Sequence, residues 1–185
     1  MHDLSSDLNF MALSALPPQL QDPQLTYSGE ATMLMQHTIA KPVHFSGVGV
    51  HSGRDTTVRL LPAAENHGIR FIRTDLDPPA DILPNHTSIL SAFLATTLGN
   101  EPGRSISTVE HLLAALVALG VDNVRAEVDG GELPILDGSA ELFAQGILHR
   151  GLQIQSQPRQ YLIVTKTIYV RNGQSWYHAA SYCGI

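Results

Sequence analysis

The sequence predicts an α+β fold: a two-layer sandwich of a mixed β-sheet with two helices on one face, followed by the first hairpin of an incomplete second, similar domain. Three observations carry this. Short β-rich runs separated by glycine and proline turns occupy most of the stretch from His37 to Asn100. A helix, a strand and a second helix then follow between Ser107 and Gly151. Last comes a long β-rich run with Asn172-Gly173, a preferred two-residue hairpin turn. Strands followed by helix, strand and helix suit a mixed sheet covered on one face.

Residues 1–35 read as a mostly disordered leader, with Pro17-Pro18, Pro23, serines, glutamines and no sustained period. A short helix over residues 8–16 is an option, and Met33 or Met35 is an alternative start. The first α/β domain is expected over residues 36–155. Its strands are placed at residues 38–41, 43–50, 56–61, 69–73, 91–98 and 123–128, with a hairpin turn at Ser52-Gly53 and a further turn at residues 100–103. The first helix runs from an N-cap at Ser107 to a C′ glycine at Gly120. Val109, Leu112, Leu113, Leu116, Val117 and Leu119 make it apolar nearly all round, so it is expected to be buried. The second helix covers residues 140–150 and stops at Gly151. Residues 156–185 are read as the start of a truncated second domain, with strands at 161–170 and 175–181. The alternative is that this hairpin extends the first sheet.

Composition narrows the function. The 185 residues are 43% hydrophobic and 15% charged, enough for a buried core. A net charge of −6 is opposite to the basic footprint of a nucleic-acid binder and to what an anionic membrane surface attracts. The single cysteine, Cys183, allows no intramolecular disulfide and fits a reducing compartment. Residues 1–40 lack lysine and arginine, which disfavours a secretory signal or a transit peptide. The apolar run at residues 112–119 is far short of the roughly 20 residues a membrane span needs. A cytoplasmic protein is expected.

Three segments carry residues capable of chemistry. In Ile106-Ser107-Thr108-Val109-Glu110-His111-Leu112, Ser107 and Glu110 fit a capping box, and on that account Glu110 is only a cap. The same placement suits catalysis. Histidine ligates metal as the neutral imidazole, which the positive end of a helix favours over the cation. A carboxylate beside a metal-activated water can take its proton. Glu110 is therefore a candidate general base and His111 a candidate zinc ligand. The second segment, Gly47-Val48-Gly49-Val50-His51-Ser52-Gly53, lets backbone approach closely and presents His51. It departs from the G-x-G-x-x-G spacing, which argues against a nicotinamide cofactor. A plain hairpin with an exposed histidine is the competing account. In the third segment, Glu132-Leu133-Pro134-Ile135-Leu136-Asp137-Gly138-Ser139-Ala140, Asp137 and Ser139 suit turn and cap roles.

Taken in order, Gly47-Val48-Gly49-Val50-His51-Ser52-Gly53, Arg73-Thr74-Asp75-Leu76-Asp77-Pro78-Pro79, Ser107-Thr108-Val109-Glu110-His111-Leu112 and Pro134-Ile135-Leu136-Asp137-Gly138-Ser139 resemble the UDP-3-O-acyl-N-acetylglucosamine deacetylase family. The likeness runs from about Gln36 to the C-terminus. It implies a cytoplasmic Zn2+-dependent amidase that removes acetate from UDP-3-O-(3-hydroxyacyl)-N-acetylglucosamine, the committed step toward lipid A. It also implies two similar α/β domains with the active site between them. On matching positions Glu110 is the base and His111 one zinc ligand. Phe93 and Leu94 lie in a segment lining the cleft, and His51 falls on a histidine near the site, in a substrate-contacting or electrostatic role. Ala95 stands where many members have a cysteine. The family's other two zinc ligands come from a His-Lys-x-x-Asp motif in its second domain, and a later histidine acts as the acid. Neither is found in this chain, so by itself it is expected to bind zinc weakly and to be inactive. A site built from His51, His111 and Asp137 is the remaining catalytic option. The alternative function is a non-catalytic truncated product, or a module binding a sugar nucleotide or a partner.

Overall fold

The computed structural model describes residues 9–11, 34–163 and 167–179. The chain divides into two compact units: Met35–Gln157, and the two ends Met1–Leu34 with Pro158–Ile185. The strands are β1 (Asn9–Met11), β2 (Met35–Ile39), β3 (Val43–Val48), β4 (Asp55–Pro62), β5 (Ile69–Arg73), β6 (Ala80–Ile82), β7 (Ile89–Ser91), β8 (Thr97–Gly99), β9 (Ser105–Ile106), β10 (Val124–Val128), β11 (Leu152–Pro158), β12 (Tyr161–Ile163), β13 (Ile168–Asn172) and β14 (Ser175–Ala179). The helices are α1 (Glu110–Ala118) and α2 (Glu141–Arg150).

The unit Met35–Gln157 is the expected α+β arrangement. Its five-stranded sheet has the order β3-β4-β10-β5-β6. It is mixed, because β10 runs antiparallel to β4 and parallel to β5. Register places Val43, Leu60, Ala126, Phe71 and Ile82 in one row across the sheet, all buried. Two residues along, Phe45, Val58, Val128, Arg73 and Ala80 form the next buried row. The period of two along each strand puts both rows on one face. Leu112 and Leu116 of α1 and Phe143 and Ile147 of α2 join the same core. Full burial of each large side chain contributes about 1.5–3 kcal/mol. The opposite face carries Arg59–Glu127, Arg125–Glu127 and Arg70–Asp81 ion pairs. These are partly exposed and worth about 0–1 kcal/mol each.

Helix α2 lies close to β3. Phe143 meets Phe45 edge-on, with ring centroids 4.9 Å apart. A β-carbon at Gly146 would stand 2.5 Å from Phe45 Cε1, so only glycine permits this approach. Helix α1 ends as the sequence predicts. Gly120 takes φ 68°, its N–H bonds to Val117 O, and Val121 N bonds to Leu116 O. That is the Schellman pattern.

Other expectations need correction. Helix α1 begins at Glu110, with Val109 at the N-cap and no side-chain cap. Thr108 has φ 59°, which interrupts helical backbone, and Ser107 is bridged to Glu132 instead. The capping-box account of Glu110 therefore falls. Nor is α1 buried all round, since Val117 is 71% exposed, although Leu112, Ala115 and Leu116 are buried. The strand expected over residues 91–98 is broken into β7 and β8. Ser91 Oγ accepts Phe93 N, and Leu94 takes φ 62°, so the backbone turns out of the ladder. Strand β11, absent from the sequence reading, pairs with β2.

In the other unit, β1 pairs with β12, so residues 9–11 are extended where a helix was an option. Strands β13 and β14 form the expected hairpin, but Asn172 pairs with Ser175. The two loop residues are thus Gly173 and Gln174, and Gly173 supplies the positive φ, 59°. Of the expected leader, residues 1–8 and 12–33 lie outside the described residues, as does Cys183, while Met35 already belongs to β2.

Candidate active site

Two of the four quoted segments bond to one carboxylate, Glu132, which stands two residues before a third, Pro134–Ser139. The loop joining β3 to β4 presents two successive N–H groups to it: His51 N donates to Oε1 at 3.0 Å and Ser52 N to Oε2 at 2.8 Å. The Thr108 hydroxyl donates to Oε1 at 3.0 Å. Glu132 is 5% exposed. Burial pushes its carboxyl up, but hydrogen bonds from Ser52, from the two amides and from Thr108 outweigh burial and hold it below the ordinary value. Backbone completes the junction. Ser107 N donates to Gly131 O, Leu133 N to Ser107 O, and Ile135 N to Val48 O. A β-carbon at Gly47 would stand 3.3 Å from Pro134 Cβ, so the Pro134 segment lies directly on the end of β3.

The fourth segment, with Arg73 and Asp75, borders the same cleft as His51 and Glu132. Arg73, in the buried row of β5, makes a two-pronged pair with Asp75, with both N···O distances 2.7 Å. This pair is the main reason that the Asp75 carboxyl lies below its ordinary value. Arg73 also donates to the carbonyl of Ser105 on β9, the strand leading toward α1.

Glu110 is the first residue of α1, half-buried, and its Oε2 accepts Thr96 N at 3.0 Å. His111 follows, also half-buried. Thr96 ends the turn that holds Phe93, Leu94 and Ala95. Phe93 and Leu94 stand 82% and 78% exposed, whereas Ala95 is buried. The structure thus brings Glu110, His111 and the Phe93–Leu94 turn to the start of α1. His51 is exposed and lines a cleft of about 570 Å³ with Arg54, Arg73, Asp129 and Glu132. Its tie to α1 runs through Glu132 and Thr108.

Asp137 and Ser139 act as the turn residues expected of them. Asp137 Oδ1 accepts Ser139 N at 3.0 Å, and Ser139 Oγ accepts Glu141 N at 3.0 Å. Among the described residues, no three of His, Cys, Asp and Glu gather closely enough to hold a metal ion. A catalytic zinc normally takes three protein ligands. His51, His111 and Asp137 therefore do not form that site.

Residues 36–184 match the family model LpxC, UDP-3-O-acyl N-acetylglycosamine deacetylase. The chain belongs to this family. It is 41% identical over 153 residues to the UDP-3-O-acyl-N-acetylglucosamine deacetylase of Actinobacillus succinogenes, covering 83% of this chain and 50% of the relative. To the proteins of the same name from Tolumonas auensis and Vibrio parahaemolyticus it is 43% and 42% identical, covering 81% and 78% of this chain. The chain spans about half the length of these curated relatives. Sequence reasoning gave this deacetylase-family chain its Glu110–His111 pair but no role for Glu132, Thr108 or Thr96. A glutamate directly after Gly130-Gly131 was the one available signal.

Proposed function

We propose that this chain is the part of a cytoplasmic zinc-dependent deacetylase that supplies the general base and one metal ligand. The substrate is UDP-3-O-acyl-N-acetylglucosamine, and hydrolysis of its N-acetyl amide releases acetate on the route to lipid A. The observation that carries this reading is the half-buried Glu110–His111 pair at the start of α1, held by the amide of Thr96. Glu110 takes a proton from the attacking water, and His111 supplies one nitrogen to the metal. Zinc, when bound, polarises the carbonyl and lowers the cost of forming the nucleophile. The remaining ligands are assigned to the half of the family's length that this chain does not span. Phe93 and Leu94 offer apolar surface to the substrate beside Glu110, and His51 contacts it from the β3–β4 loop. No helix among the described residues is long and apolar enough to cross a membrane.

The experiment is deacetylation of the UDP-sugar by a protein that joins residues 36–184 to the rest of the family's length, with metal content measured in parallel. His111→Ala should lose zinc and turnover together. Normal zinc content in that variant would refute the ligand assignment, and the absence of turnover in the unsubstituted long protein would refute the deacetylase reading.

A further inference from the structure

We propose that Glu132 is a positioning residue: its carboxylate fixes the His51 loop and the start of the Glu110–His111 helix to one another. Three observations point there. The carboxylate receives two consecutive amides from the loop, His51 and Ser52, and one hydroxyl from Thr108, two residues before Glu110. Thr108 holds φ 59°, a conformation that costs a β-branched residue free energy and persists only where its surroundings impose it. Gly49 is so close that a β-carbon there would stand 2.4 Å from Glu132 Oε2, so the loop backbone is wrapped onto the carboxylate.

A carboxylate is the group this junction requires. Oε1 accepts from both His51 N and the Thr108 hydroxyl, while Oε2 accepts from Ser52 N. A glutamine would keep the shape but turn one acceptor into a donor. A buried donor facing an N–H leaves both groups unsatisfied. The junction would open on one side, and the His51 loop and the helix start would move independently. Glu132 acts on the reaction through the loop and the helix start that its carboxylate holds. The inference rests on the deacetylase reading for its functional consequence, but its structural claim stands apart.

The test has two parts. The first is amide hydrogen exchange followed by NMR on this chain, wild type against Glu132→Gln. Exchange at His51 or Ser52 should rise at least tenfold, and the Glu110 and His111 amide resonances should shift, with protection at Val58 and Ala126 in the sheet unchanged. Unchanged exchange at both loop amides would overturn the proposal. So would faster loop exchange with Glu110 and His111 resonances left in place, because Glu132 would then pin only its own loop. If Glu132→Gln does not fold, Thr108→Ser provides the milder comparison. It keeps the hydroxyl, so the Glu110 and His111 resonances should stay in place, while Thr108→Gly should move the His51 amide. A still His51 amide in Thr108→Gly would overturn the coupling. The second part uses the long deacetylase. Glu132→Gln should lower kcat about tenfold with KM and zinc content nearly unchanged, and Glu132→Asp should recover part of the loss. A KM effect alone, or unchanged kcat, would overturn a positioning role. The exchange comparison involves neither substrate nor metal, so its failure is separable from failure of the deacetylase reading.

Discussion

Gly49 and Glu132 are packed so tightly that any side chain at position 49 would collide with the carboxylate: a β-carbon would lie 2.4 Å from Oε2 and 2.5 Å from Ser52 Oγ. The carboxylate has little freedom to retreat, since the amides of His51 and Ser52 and the hydroxyls of Ser52 and Thr108 hold it. Gly49→Ala should therefore destabilise the protein by about 1–3 kcal/mol, the usual cost of overpacking. Urea denaturation of the variant checks this. In the double variant Gly49→Ala/Glu132→Ala the two costs should be less than additive, because removing the carboxylate removes its collision and leaves only that with the Ser52 hydroxyl. Full additivity would show that the clash is relieved some other way.

Glu110 separates chemistry from stability. Its Oε2 accepts the amide of Thr96, a bond that a glutamine carbonyl can also make. Glu110→Gln should change stability by under about 1 kcal/mol. In the long deacetylase the same substitution should cut turnover about 10²–10⁴-fold, the range general-base catalysis contributes, with zinc retained. Thermal unfolding, metal analysis and steady-state kinetics on one preparation decide it. A large drop in melting temperature with normal turnover would make Glu110 a structural anchor for the Phe93–Leu94 turn.

Much of this architecture was legible because it is local. The strand Ile69–Arg73 and the C-terminal stop of α1 at Gly120 follow from β-branched content and from a glycine in the left-handed region. The Glu110–His111 pair was visible as a motif. What stayed hidden depends on partners distant in the chain. Thr108 gives no sign by itself of a positive φ, and the Glu132 carboxylate that accepts its hydroxyl lies 24 residues on. The break after Ser91 comes from a serine hydroxyl capturing the Phe93 amide within an otherwise convincing β run. Strand β11 carries a polar sequence, Leu-Gln-Ile-Gln-Ser-Gln-Pro, and is specified by β2 beside it. Gln155 there accepts from Asn123 Nδ2 at 2.7 Å and donates to Ala63 O at 3.0 Å.

The contact between α2 and the sheet depends on the lack of a side chain at Gly146. A methyl there would stand 2.5 Å from Phe45 Cε1 and 2.7 Å from Cζ. Alanine improves helix propensity by about 0.8–1 kcal/mol relative to glycine. Overpacking against a ring already set edge-on to Phe143 costs about 1–3 kcal/mol. The clash should win, so Gly146→Ala is expected to lower stability despite the better helix former. Phe45→Leu in the same chain should restore part of the loss. A stabilised Gly146→Ala would mean that the helix can withdraw from β3 at little cost.

Acid sensitivity follows from the two carboxylates at the junction. Glu132 is held below its ordinary value of 4.5 and Asp75 below its ordinary 3.8 in the folded protein. Above pH 4.5 Glu132 is ionised in both folded and unfolded chains, so its contribution to stability is fully present. As the pH falls through 4.5 the unfolded chain takes up a proton that the folded chain still refuses, and stability declines. The contribution is gone once the pH has passed below the folded value. Asp75 adds a second decline starting from 3.8. Stability measured by urea unfolding at a series of pH values should therefore fall as the pH drops below 4.5 in the wild type. In Glu132→Gln, where that proton cannot be taken up, the curve should lie lower at neutral pH and be flatter through this window. Parallel curves for the two proteins would show that Glu132 is not ionised at the junction, and the hydrogen bonds from His51, Ser52 and Thr108 would then have to be to a neutral acid.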